Sequence, residues 1–282
     1  SKSPFGPFEY KETVLPVRGA EFWDGLCTHN PTVHTFDGKY YLYYMGNTGN
    51  AINVTKPGLR DKLNWEHRNN QRIGVAVADN PNGPWRRFDK PLIDVSSDSL
   101  SIDALMVSNP SITKKPDGSY LLVYKAVGKK TKMPFGGPVV HCVATSDSPT
   151  GPFIKYDKPI FQAKGYEFPA EDPFIWYQNG KYRAIVKDMH GAFTDAGQSL
   201  VLFESIDGYD WNLSDNPLVS KLQIEWENGE IQKLNHLERP QLYFENNIPI
   251  ALLCAADIID DNGVIQSFNV QIPVTSKQNN NK

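Results

Sequence analysis

The stretch EDPFIWYQNGKYRAIV, Glu171 to Val186, reads as a short apolar run behind a proline, an Asn-Gly turn and a second aromatic and β-branched run. Asn-Gly between two such runs is a strong short-range signal for a two-stranded hairpin. The phrase recurs as HNPTVHTFDGKYYLYY from His29, SNPSITKKPDGSYLLVY from Ser108 and ERPQLYFENNIPIALL from Glu238. Each copy opens on a polar pair and a proline and turns on Asp-Gly, Asn-Gly or Asn-Asn.

Pro31, Pro110, Pro173 and Pro240 are separated by 79, 63 and 67 residues. That interval exceeds the common solenoid repeats and accommodates a four-stranded sheet with its loops, so the spacing predicts an all-β propeller with one hairpin phrase per blade. A second phrase, x-Pro-x-Gly-Pro-aromatic, stands at Ser3 to Phe8, Asn80 to Trp85 and Ser148 to Phe153. Two copies come after a predicted third strand, Ile73 to Ala78 and Val139 to Thr145, and read as the turn into a fourth, outer strand. The copy at Ser3 precedes the first hairpin phrase, so residues 1–16 are expected to be the outer strand of a blade, with Glu9 to Leu15 extended. Two closures satisfy this: a four-bladed ring completed by the N-terminal strand, or a five-bladed ring whose first blade is incomplete here. The second is favoured, because five blades are the commoner architecture.

The 282 residues, 40% hydrophobic and 12% aromatic, suffice for one large propeller domain over 1–282. A net charge of −3 argues against a nucleic-acid partner. No apolar run is long enough to span a membrane. Cys27, Cys142 and Cys254 lie in apolar contexts and are expected to be buried thiols; the tail 277–282 is expected to fray.

In a propeller the innermost strands line one axis. The pairs His29-Asn30, Ser108-Asn109, Glu171-Asp172 and Glu238-Arg239 therefore converge on one funnel, where unpaired charge is costly. They either face a solvated pocket or satisfy one another as blade-locking ion pairs. Asp24 and Asp103 each stand six residues ahead of one of these asparagines and read as a repeated structural feature.

The order and spacing of these openings resemble those of the family 43 glycoside hydrolases and their relatives, which are five-bladed propellers. Blade by blade, His29-Asn30-Pro31 with Asp37-Gly38-Lys39-Tyr40-Tyr41-Leu42 resembles that family's second blade, Ser108-Asn109-Pro110 the third, Glu171-Asp172-Pro173 the fourth and Glu238-Arg239-Pro240 the fifth. The resemblance covers nearly the whole chain and implies a glycosidase that hydrolyses plant or algal polysaccharide or oligosaccharide with inversion. It places the general acid at Glu171, with Asp172 and Glu238 as further catalytic carboxyl candidates. Asn109 departs from the family, standing where its modulating Asp would be, and the blade that carries the family's base is not among the phrases.

Inverting hydrolysis needs a protonated carboxyl and a carboxylate roughly 6.5–9.5 Å apart. A Glu beside a like-charged Asp is expected to have its pKa raised, as an acid requires. His29, Asn30, Asn109, Arg239, Lys187 and Trp23 are the expected substrate-binding residues, Trp23 by stacking on a sugar face; Phe22, Tyr166, Phe168 and Trp176 are further stacking candidates. No cofactor is expected, a structural calcium or sodium ion in the channel being the one exception, since no His/Cys spacing matches a zinc site. The departure at Asn109 leaves a non-catalytic carbohydrate-binding propeller, or a related glycoside phosphorylase, as alternatives. The resemblance implies a periplasmic or extracellular location.

Overall fold

The structure, a computed structural model, describes residues 1–49, 65–260 and 262–274. The expectation for residues 277–282 lies outside them. The described residues form successive antiparallel sheets, with one short helix, α1 (Trp65–Asn69). The first blade is β1 (Cys27–Phe36), β2 (Lys39–Asn47), β3 (Arg72–Ala78) and β4 (Arg86–Arg87), paired in that order. The second is β5 (Met106–Lys114), β6 (Tyr120–Val127), β7 (Val139–Ser146) and β8 (Ile154–Ile160). The third runs through β9 (Ala170–Gln178), β10 (Lys181–Asp188), β11 (Ser199–Ser205) and β12 (Asn212–Lys221). A small hairpin, β13 (Gln223–Glu225) and β14 (Ile231–Lys233), leads to a three-stranded blade of β15 (His236–Glu245), β16 (Ile248–Ile259) and β17 (Ile265–Pro273).

Blade packing explains the burial pattern. Strands β6 and β7 are sandwiched between neighbouring blades, so nearly every residue is buried and the apolar run is continuous rather than alternating. The outer strand β12 has solvent on one side and no buried residue. One apolar cluster joins the first blade to the second through Tyr43, Ile73, Ile112 and Tyr124. Another joins the second to the third through Leu121, Val143, Ile175 and Phe203, and a further one joins the third to the fourth through Ile185, Leu200, Leu237 and Leu252.

Every hairpin opens on the same β-bulge. Pairing steps from His29↔Met45 to Thr32↔Tyr43, from Ser108↔Lys125 to Ser111↔Val123, from Glu171↔Lys187 to Phe174↔Ile185 and from Glu238↔Ala255 to Gln241↔Leu253. In each step two residues, the second a proline, oppose one on the partner strand. The residue before the proline is left-handed, with φ of 52° at Asn30, 50° at Asn109, 50° at Asp172 and 53° at Arg239. An innermost strand is an edge strand, where proline leaves no N–H unpaired toward the channel.

The N-terminal expectation is corrected: residues 1–26 contain no strand, so Glu9 to Leu15 form no outer strand and close no blade by pairing. The turn at Ser3 does fold like its two counterparts, with Gly6, Gly83 and Gly151 at φ of 91°, 85° and 81° and each N–H donating to the carbonyl three residues back. Beyond the turn the chain takes a different course. Leu15 packs with Trp23 and Trp85 on Leu42, Tyr44 and Ala76, covering the face of the first blade turned away from the second. Side chains hold the segment there: the Thr28 hydroxyl donates to the Leu15 carbonyl at 3.1 Å and Arg87 to that of Pro16 at 2.6 Å. Cys142 and Cys254 are buried, but Cys27 is exposed, because it stands at the start of an edge strand.

Candidate functional site

The four bulges bring their left-handed residues together, three of them joined by hydrogen bonds and the fourth beside them. Asn30 Nδ2 donates to Asn109 Oδ1 at 3.0 Å, Asn109 Nδ2 donates to Asp172 Oδ1 at 2.6 Å, and Arg239 Nη1 lies 3.7 Å from the same oxygen. Residues separated by up to 209 positions in the chain thus meet around one axis. Together with Pro31, Pro110, Pro173 and Pro240 they line a cavity of about 960 Å³, which also reaches Phe174 and Tyr243. Four non-glycine left-handed residues at one spot store backbone strain of roughly 1–3 kcal/mol each, a pattern that clusters at functional sites.

Behind this ring sits a layer of ion pairs, built by cross-strand register. Lys125 stands opposite Ser108 in the second blade and reaches forward to Glu171 of the third, Nζ to Oε1 2.6 Å. Lys187 stands opposite Glu171 and reaches forward in the same way to Glu238 of the fourth. The equivalent position of the first blade is Met45, whose sulfur accepts the Asn109 backbone N–H at 2.8 Å. Among the sequence candidates, Asn30, Asn109, Asp172 and Arg239 therefore line the cavity, while Glu171, Glu238 and Lys187 form its charged support.

The electrostatics invert one expectation. Burial pushes the Glu171 carboxyl up, but Lys125, with Lys187 and His141 behind it, outweighs burial and holds Glu171 below the usual carboxylate range. Its neighbour Asp172 is raised instead, to about 6, by burial first and by the Glu171 charge second. The like-charge argument holds with the two residues exchanged, because only Glu171 has a lysine within hydrogen-bond reach. His29 is pushed down to about 4 by burial and then by Arg239, and stays neutral at physiological pH. Its Nε2, like Ser108 Oγ and His141 Nε2, is buried without a partner among the described residues.

Trp23 stands in packing and is not among the residues that line the cavity. It lies against Tyr44 with centroids 5.8 Å apart and donates Nε1–H to the Phe88 carbonyl at 3.3 Å. Gly74 makes room for it, since a Cβ there would sit 2.6 Å from the indole. Phe22 lies under the Arg18 guanidinium, Trp176 packs beside the core between the third and fourth blades, and Phe168 stands 5.6 Å from Lys125 Nζ. Tyr166 is 40% exposed and stacks on His190. Asp24 and Asp103 are the structural pair their spacing implied. Asp24 is fully buried and bonded by Arg18 and the Tyr44 hydroxyl, and Asp103 is bonded by Lys155 and Ser101. Among the described residues, no group of three or more His, Cys, Asp or Glu side chains is arranged to hold a metal ion, and no helix is long and apolar enough to cross a membrane.

The αL bulges, and the pairing of Lys125 and Lys187 with glutamates of the following blade, were not legible in the sequence. A bulge has no residue signature when Asn, Asp and Arg fill its left-handed position, and Lys125 and Lys187 lie in second strands that otherwise read as apolar.

No protein-family model matches the chain, and no curated protein matches it in sequence. Solved structures do match in shape. Fructan 1-exohydrolase IIa from Cichorium intybus superposes with a TM-score of 0.55 at 16% identity over 86% of this chain and 41% of that one. A family 117 glycoside hydrolase produced by the marine bacterium Zobellia galactanivorans gives 0.54 at 17% identity over 88% and 61%. An endo-arabinase from Bacteroides thetaiotaomicron gives 0.55 at 14% identity over 92% and 79%. The chain has the fold of propeller glycoside hydrolases. It spans less than two thirds of the length of the first two structures.

Proposed function

We propose that this propeller belongs to a glycoside hydrolase related to family 43, acting on a plant or algal polysaccharide or oligosaccharide at the central cavity with inversion. The observation that carries the proposal is a channel-facing carboxyl, Asp172, whose pKa is raised to about 6 and whose orientation is set by Asn109. Fold alone would not support it, since one fold hosts many functions.

Asp172 is the proposed proton donor to the glycosidic oxygen. Glu171, bound to Lys125, supplies the fixed negative charge that helps keep Asp172 protonated. Glu238, paired with Lys187 at the next blade opening, is the proposed acceptor of the proton from the attacking water. Asn30 and Asn109 offer amide groups to sugar hydroxyls. The cavity extends to β16 and β17, where Ser1 to Pro4 and Phe8 also line it. The location is proposed as periplasmic or extracellular, as a polysaccharide substrate requires.

The test is hydrolysis of plant and algal polysaccharides and of nitrophenyl glycosides, with the product anomer followed by NMR. Asp172→Asn is expected to lower turnover by about 10²–10⁴-fold on natural substrates and much less on nitrophenyl glycosides, whose leaving group needs little protonation. If Glu171→Gln shows that split and Asp172→Asn does not, Glu171 is the acid. Equal losses on both substrate types in both variants would remove the third-blade opening from the chemistry. A second reading, a carbohydrate-binding propeller without hydrolysis, is favoured by the engagement of both glutamates in lysine pairs. It predicts sugar binding with no turnover on any of these substrates.

A further inference from the structure

Among the described residues, three cations stand on the blade strands around the channel, and two are already spent. Lys125 and Lys187 each sit against a glutamate of the following blade, with side chains 14% and 4% exposed. Arg239 is different. It lines the cavity, its side chain is 39% exposed, and its guanidinium makes no hydrogen bond to any described residue. Its one ionic contact, with Asp172 at 3.7 Å, is too long for a hydrogen bond. A guanidinium presents five N–H donors in a planar fork suited to bidentate capture of a carboxylate. Beside it, His29 carries a buried Nε2 with no partner among the described residues. The cavity that Arg239 lines combines the apolar rings of Phe8, Phe174 and Tyr243 with the amides of Asn30, Asn109 and Gln241, the mixture a pyranose needs.

We propose that Arg239 forms a subsite for the carboxylate of an acidic sugar, so that the glycan recognised in the channel carries uronic acid at this position. The inference rests on the reading of the cavity as a carbohydrate site and adds the charge of the sugar. Asp172 shares the guanidinium, and its carboxylate competes with that of the ligand. Facing Asp172 are Glu171 on its own strand, Lys125 from β6, and Arg239 and Glu238 from β15. The cavity rim adds Lys2 and Glu245. An acidic sugar therefore binds best when Asp172 holds a proton, and its binding takes up a proton above pH 6. In an active enzyme the same coupling would protonate the donor as substrate arrives.

The test is calorimetric titration of the full chain with galacturonate and glucuronate against galactose and glucose, which differ from them only at C6. The uronates are expected to bind at least tenfold more tightly than their neutral counterparts at pH 6. Arg239→Met should abolish that preference and Arg239→Lys should retain part of it. Uronate affinity should fall toward tenfold per unit as pH rises above 6, and Asp172→Asn should flatten that dependence while keeping the preference. Circular dichroism of each variant separates lost binding from lost folding. Equal affinity for acidic and neutral sugars overturns the proposal, as does a preference that survives Arg239→Met or is lost instead in Lys2→Met. Hydrolysis of neutral glycans with no uronate preference would overturn this inference alone, and uronate binding without turnover would overturn the catalytic reading alone.

Discussion

Asp172 concentrates the chemistry of the channel because its neighbours act on it in opposite directions. Burial and the Glu171 charge raise its pKa to about 6, while Arg239 and Lys125 restrain the rise. If it is the donor, activity should decline as pH rises through 6, and Glu171→Gln should move that decline to lower pH by removing the anion. A pH profile of kcat/KM for both proteins checks this; an unmoved limb would detach Glu171 from the donor. The same shift has a thermodynamic sign. The folded protein holds the Asp172 proton more tightly than the unfolded chain, so Asp172 favours folding below about pH 4 relative to pH 8, where its ionised form is buried. Asp172→Asn is therefore expected to stabilise the protein at pH 8 by up to about 3 kcal/mol and to lose that gain near pH 4, measured by urea denaturation at both pH values.

At the scale of the element, the hairpin turns show how closely local residues dictate geometry. Asp37-Gly38, Asn179-Gly180 and Asn246-Asn247 all take two consecutive positive φ values, as type I′ turns require. The last carries Asn247 at φ 62° where the others have glycine. Asn247→Gly is expected to stabilise the fourth blade by about 0.5 kcal/mol, read from a thermal or denaturant midpoint, since glycine occupies this region without steric cost. The turn at Asp117-Gly118 is the exception. Pro116 precedes it, only Gly118 is left-handed, and Lys115 N–H closes a longer loop onto the Ser119 carbonyl at 2.7 Å. Its sequence showed a turn, but the loop length came from how β5 and β6 register.

Across the whole molecule, each blade is tied to the next by apolar faces and, on either side of the third blade, by a lysine reaching forward to a glutamate. The second of these pairs is asymmetric. Lys187 is 4% exposed and Glu238 30%, so removing the glutamate strands the more deeply buried charge. Glu238→Gln should cost more stability than Lys187→Met, by about 1–3 kcal/mol, and the double variant should recover part of the loss. Chemical denaturation of the three variants measures this, and equal costs would mean that water reaches Lys187. Between the fourth blade and the first the tie is lighter: Gln241 Nε2 donates to the Pro31 carbonyl at 2.9 Å across the inner strands. Pro31 and Gln241 both line the cavity, together with residues of β16 and β17 and Ser1 to Pro4.

The propeller was legible because its signals are local and repeated: turn residues, proline-marked openings and continuous apolar runs act within a few residues of themselves, and four copies reinforce one another. Convergence of Asn30, Asn109, Asp172 and Arg239 arose from the same periodicity. The N-terminal segment was misjudged for the complementary reason. Its turn folds as its residues dictate, yet whether the residues beyond it extend along a strand edge or lie across a blade face depends on which surface is free, and that surface is made by Leu42, Tyr44 and Ala76 of the first blade. Protonation was likewise decided only by tertiary structure. Glu171 and Asp172 are adjacent in sequence and similar in chemistry, but strand alternation and the bulge aim them differently, one at Lys125 of the preceding blade and one into the channel. Charge interactions fall off with distance and burial rather than with sequence separation, so only the packed blades determine which carboxyl keeps its proton.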